Sequence, residues 1–187
     1  MSINDTTVNN GSQPSDDRHK AIVFIGPTGV GKSAIGQAFA HSRDIGFVDS
    51  DAVFVERFGS IPAFFAEHGE IAFREREAII VADILARPPF DGPYVLSVGG
   101  GAILNPDTRA LIAKHTVVWL DTELEFVLPR LLGQPDRPLL TGDVAAQWQR
   151  IADERRHLYE ESATLRFDAS TGSVDELVQR ISLALMG

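Results

Sequence analysis

Short apolar runs alternate with longer stretches of helical periodicity along most of the chain. The runs Ala21–Ile25, Ile45–Val48, Tyr94–Val98, Thr116–Leu120 and the weaker Thr164–Phe167 are β-rich, and each is followed by a turn signal and a helix-like segment. Near-continuous apolar strands separated by helical patterns predict a parallel sheet covered on both faces. The expected fold class is therefore α/β, a three-layer α/β/α domain around five parallel strands. Thr122-Glu123-Leu124-Glu125 and Ser173-Val174-Asp175-Glu176 both read as capping boxes that open helices. After the second box, Val174, Leu177, Val178, Ile181 and Leu185 recur at helical spacing and predict a C-terminal helix with one apolar face.

The chain has 187 residues, enough for one such domain, read here as 20–187. Residues 1–19 are rich in Asn, Ser, Thr and Asp, with neither the basic nor the apolar region of a signal peptide, and are expected to be a disordered tail with no assigned role. No run is long enough to span a membrane. There is no cysteine, which excludes disulfides, thiolate metal sites and cysteine nucleophiles and suits a cytoplasmic location. The formal net charge of −9 argues against a phosphate-tracking surface for nucleic acid. No exposed heptad or extra apolar face demands a partner, so a monomer is the expectation.

Gly26-Pro27-Thr28-Gly29-Val30-Gly31-Lys32-Ser33 meets the Walker A pattern at every required position, between the first apolar run and a helical segment. Glycines there let backbone N–H groups converge on phosphate oxygens, where side chains would block the approach. Lys32 would reach the β- and γ-phosphates, the Ser33 hydroxyl would coordinate magnesium, and the following helix would turn its positive end to the same anion. These residues predict a P-loop NTPase fold that uses ATP as co-substrate and requires Mg2+.

The remaining motifs select among P-loop classes. No Asn-Lys-x-Asp motif is present to read guanine, and Thr116–Asp121 is followed by Thr122 rather than the Glu of a mechanical ATPase. Asp121 is therefore read mainly as a polar strand end rather than a metal ligand. Asp49-Ser50-Asp51 follows the second strand. On an extended chain its two carboxylates point oppositely, so that one can face a metal and the other an acceptor hydroxyl. That division suits a kinase that phosphorylates a small metabolite. Arg74 and Glu77 share a helical face, and Gly99-Gly100-Gly101 ends a strand where backbone would press close to a ligand. The Gly- and Pro-punctuated segment Leu132–Leu140 carries Arg137 and is either an ordinary loop or a mobile lid.

With Phe73-Arg74 and Glu77, Arg137-Pro138-Leu139-Leu140, and Arg155 four residues before Tyr159, the stretch from Gly26 to Tyr159 closely resembles shikimate kinase in order and approximate spacing. The resemblance implies transfer of the ATP γ-phosphoryl group to the 3-hydroxyl of shikimate, in the pathway to chorismate and the aromatic amino acids. It implies that Asp51 binds and activates the acceptor hydroxyls, with Lys32, Asp51 and Arg137 catalytic. Gly29, Val30, Gly31, Lys32, Ser33, Ala34, Arg130 and Arg137 would bind ATP, with Arg130 near the adenine. Ser33 and Asp49 would support magnesium. Arg74 and Arg155 would clamp the acceptor carboxylate, with Glu77 and Gly99, Gly100 and Gly101 completing a pocket in a helical insertion near 51–87. A lid near 132–141 would deliver Arg137. Arg156 adds a second arginine beside Arg155, and the four-residue offset from Tyr159 favours Arg155. Two other readings stand beside this one: a gluconate-kinase-like enzyme with another acceptor, and a nucleotide-binding regulatory module with little turnover.

Overall fold

A computed structural model describes residues 20–133 and 143–186. The expected tail 1–19 and most of the expected lid, Arg137 included, lie outside the described residues. Five parallel strands form one sheet: β1 (Ala21–Ile25), β2 (Gly46–Asp49), β3 (Tyr94–Ser97), β4 (Thr116–Asp121) and β5 (Leu165–Asp168), in the order β2-β3-β1-β4-β5. The five apolar runs thus become the five strands, with ends shifted by one residue at four of them. Helices α1 (Lys32–Ser42), α2 (Ser50–Phe58), α3 (Ile61–Ala86), α4 (Pro106–Ile112), α5 (Leu124–Leu132), α6 (Val144–Ser162) and α7 (Val174–Ala184) connect them.

Alternation along the strands divides the core between two faces. Phe24 of β1, with Val95, Val118 and Leu120, packs against Ile35 and Phe39 of α1 and Leu177, Val178 and Ile181 of α7. Val23 and Ile25 point the other way, where Leu96, Val117 and Trp119 meet Phe73, Ile80 and Ile84 of α3, Ile112 of α4 and Tyr159 of α6. The C-terminal helix buries Leu177, Val178 and Ile181 as its periodicity predicted, while Val174 is exposed at its first turn and Leu185, at the C-cap, is only partly buried; the Ser173 capping box forms in full.

The box expected at Thr122 does not form. The Asp121 carboxylate takes the Thr122 N–H at 3.0 Å and holds that residue in the turn leaving β4, so α5 starts one residue later with Glu123 as an N-cap that makes no side-chain bond. The interval 50–86 is occupied by α2 and α3. Gly69 (φ 79°, ψ 174°) breaks α3 into two helical pieces, a conformation open to glycine. Phe54, Phe58, Phe64, Phe65 and Phe73 hold these pieces together through ring contacts of 4.8–5.9 Å between centroids.

Candidate active site

A cleft opens at the carboxyl ends of β1, β2 and β3, the usual ligand position in an open parallel sheet. Its floor is the loop from β1 to α1. Gly31 caps α1 in the left-handed region (φ 100°), and Gly26 has φ 143° with no room for a side chain, since a Cβ there would lie 2.3 Å from the Leu120 carbonyl oxygen. Lys32 is nearly buried, and its Nζ donates to the carbonyls of Gly26 at 2.9 Å and Pro27 at 3.1 Å, which holds the ammonium across the loop. The first-turn amides of α1 and this ammonium supply the electropositive end expected of an anion cradle. Gly29, Gly31, Lys32, Ser33 and Ala34 line the cleft, while Val30 is buried beneath it. Arg130 reaches over from α5, with its Nη1 3.4 Å from the Gly29 carbonyl and 3.5 Å from that of Val30.

Ser33 Oγ donates to Asp49 Oδ2 at 2.5 Å, so the two expected metal ligands stand side by side. Among the described residues no three His, Cys, Asp or Glu side chains cluster as a metal cage. A magnesium ion that arrives on nucleotide phosphates needs no cage, and one hydroxyl with one carboxylate is a fitting protein donor set for it. The structure corrects the geometry expected of Asp49-Ser50-Asp51. Only Asp49 ends the strand; its Oδ1 accepts from the N–H groups of Asp51 and Ala52 and caps α2. Asp51 therefore lies in the first turn of a helix, and helix rotation rather than strand alternation separates the two carboxylates.

The acceptor side is assembled from distant segments. Arg74 Nη1 donates to Glu77 Oε2 at 2.6 Å one turn along α3, and Glu70 pairs with Arg74 at 3.4 Å. Burial pushes the Glu77 carboxyl up from its ordinary value, while the Arg74 charge and hydrogen bond oppose that rise. Gly99, Gly100 and Gly101 were expected to press close to a ligand, and what they press against is the site's own side chains. A Cβ on Gly99 would fall 2.3 Å from Glu77 Oε1 and 2.9 Å from Asp51 Oδ1, and one on Gly101 would overlap the Arg74 guanidinium. Arg155 is buried and donates to the Gly100 carbonyl at 3.2 Å, whereas Arg156 turns away to Asp121 at 3.0 Å. Asp121 also accepts from Arg166, so its carboxylate is committed to an ion-pair cluster rather than to a metal.

Four residues in or behind the cleft carried no individual role in the sequence. Ser97 ends β3 beside Asp49 in register and lies with its Oγ 3.5 Å from that of Ser33. Ser50 is buried and accepts the Gly99 N–H, which ties α2 to the glycine loop. Thr28 occupies the space a side chain on Gly100 would need, and Trp148 of α6 donates its indole N–H to the Thr28 carbonyl at 2.8 Å. For the two serines the only sequence signal is position, one between Asp49 and Asp51 and the other two residues before the glycine triplet.

Residues 28–185 match the family model described as shikimate kinase. The chain belongs to the shikimate kinase family. A shikimate kinase from Streptomyces coelicolor is 40% identical over 159 residues, covering 84% of this chain and 91% of that relative. Among solved structures, the shikimate kinase of Acinetobacter baumannii in complex with shikimate superposes with a TM-score of 0.84 at 29% identity, covering 91% of this chain and 94% of the other. A gluconokinase from Sinorhizobium meliloti superposes with a TM-score of 0.59 at 19% identity over 89% of this chain and 95% of its own. The last shares the fold alone, so the sheet and its helices do not separate a shikimate-kinase-like acceptor site from a gluconate-kinase-like one. The residues around Arg74 and Arg155 must do so.

Proposed function

We propose that this chain transfers the γ-phosphoryl group of ATP to the 3-hydroxyl of shikimate, giving shikimate 3-phosphate and ADP. The observation that carries the proposal is the meeting, in one cleft, of the β1–α1 loop with the Asp51 carboxylate and Gly100, while Arg74 and Arg155 lie against the same glycine triplet. Planar guanidinium forks suit a carboxylate better than they suit a neutral polyol, because each charge-assisted hydrogen bond contributes about 1.5–3 kcal/mol. Arg74 and Arg155 would hold the shikimate carboxylate, with Glu77 keeping Arg74 in place. Asp51, which lines the cleft, would accept a hydrogen bond from the attacking hydroxyl and take its proton.

On the nucleotide side Lys32 and the amides of residues 29–34 would bind the phosphates, and Arg130 would flank the base. Ser33 and Asp49 would hold Mg2+, which supplies charge neutralisation on the phosphates when bound. Arg137, outside the described residues, would add a further positive charge from a lid spanning about 132–141. Residues 20–187 would form the catalytic domain, with about 51–87 as its acceptor-binding part. Among the described residues no helix is long and apolar enough to cross a membrane. We infer a cytoplasmic monomer that acts on small molecules and binds no nucleic acid.

Coupled ADP release, measured with Mg-ATP and shikimate, gluconate, quinate or no acceptor, tests the proposal. Stimulation by shikimate alone is expected. Stimulation by gluconate instead would keep the kinase and discard the assigned arginines, and Mg-dependent ATP binding without stimulation by any acceptor would favour a regulatory module.

A further inference from the structure

Helix α6 reaches both substrate loops with side-chain donors. Trp148 Nε1 donates to the Thr28 carbonyl of the β1–α1 loop at 2.8 Å. The Tyr159 hydroxyl donates to the Gly100 carbonyl of the glycine loop at 2.6 Å, beside the 3.2 Å bond from Arg155 to the same oxygen. Positions 148, 155 and 159 fall within about 40° of one another around an α-helix, so the three side chains share one face. All three are buried. Burial pushes the Tyr159 phenol up to about 12, so it stays a donor throughout the neutral range.

The two loops are also pressed together. A Cβ on Gly100 would lie 2.9 Å from Thr28 Oγ1 and 3.1 Å from Thr28 N, so the loops approach too closely for a side chain at this position. Behind Thr28, Trp148 packs with Val127 and Leu131 of α5, and Leu131 in turn sits against Gly29. The nucleotide loop is thus braced from outside by an indole that lies off the cleft lining.

We propose that Trp148 and Tyr159 are positioning residues that set the register of the nucleotide loop against the acceptor loop. Each loop keeps its own binding groups without them; what the shared helix face adds is the separation of the γ-phosphorus from the attacking oxygen. A displacement of about 1 Å between reacting partners can cost about 100-fold in rate even when both remain bound. The inference rests on the cleft being the phosphoryl-transfer site proposed above. Wild-type turnover of shikimate decides that reading, and the ratio of variant to wild type decides this one, so the two can fail separately.

The test uses Trp148→Phe, Tyr159→Phe and the double variant, each checked by thermal melting and assayed with Mg-ATP and shikimate. Each single variant is expected to lose about 5- to 30-fold in kcat, the equivalent of one or two hydrogen bonds, with KM for both substrates held within about twofold. The double variant should be about as slow as the slower single one, because releasing either end already frees the register. A folded single variant with unchanged kcat would overturn the proposal, as would a rise in KM with kcat preserved, or strictly multiplicative losses. If Trp148→Phe does not fold, Tyr159→Phe, which removes one oxygen, decides the matter by the same split between kcat and KM.

Discussion

Residues 26–33 offer a ligand eight consecutive positions of glycine-rich backbone and one lysine, all between β1 and α1. Across the cleft, Asp51 comes from α2, Arg74 and Glu77 from α3, the glycine triplet from the end of β3 and Arg155 from α6. The first side recognises a phosphate chain with backbone amides and a helix end, which any sequence that can adopt the turn will present. The second, on the proposed function, would recognise a particular molecule with side-chain charges whose mutual placement depends on four elements packing correctly. Generic chemistry is local here, and specificity is distributed.

Four substitutions would break or sharpen that contrast. Asp51→Asn keeps the shape and removes the proposed base, so kcat with shikimate should fall by about 10²–10⁴-fold while ATP affinity, read by calorimetry, stays put. Arg74→Ala should lower kcat/KM for shikimate by about ten- to a few hundred-fold and leave the Kd for ATP unmoved; parallel losses on both substrates would show that the two sides are not separable. Gly26→Ala and Gly101→Ala compare the two sides as backbone. At Gly26 a Cβ meets a carbonyl of β4 at φ 143°, so chemical denaturation should show a loss of about 1–3 kcal/mol. At Gly101 the obstacle is the guanidinium of Arg74, which can swing away, so stability should hold while shikimate affinity falls.

The smallest effect lies outside the cleft. His115 Nδ1 accepts the Ala21 N–H at the start of β1, and burial, helped by the Lys114 and Lys20 charges, lowers its pKa from 6.5. The fold favours the neutral ring. Its contribution is therefore complete above pH 6.5 and is lost as pH falls through the lowered folded value. Urea midpoints at pH 7.5 and pH 5.5 should diverge for the wild type and less so for His115→Gln, with both sides of the cleft unaffected at pH 7.5.

Fold and nucleotide loop were legible in the chain because their signals are contiguous. Five apolar runs predicted the strands, and a strand–loop–helix motif of fixed spacing predicted the cradle. The residues proposed for the acceptor side read as a site only as a set, since Arg74 or Arg155 taken singly reads as an ordinary surface arginine. The failures have a common physical form. Thr122 carries the right residue for a cap, yet the preceding Asp121 side chain takes its N–H first. Asp51 was placed on an extended chain, and the Asp49 cap starts the helix at Ser50, two residues earlier than that reading allowed.

By itself, then, the sequence determined the order of strands and helices, the anion cradle and the identity of the charged groups. Those follow from hydrophobic period and from backbone freedom at glycine, both of which act over a few residues. Only the tertiary structure decided that Arg155 rather than Arg156 meets Gly100, that Asp121 is spent on Arg156 and Arg166, and that Trp148 braces Thr28. Neighbouring arginines on one helix differ by about 100° in direction, and which of them is buried depends on how that helix packs on the sheet.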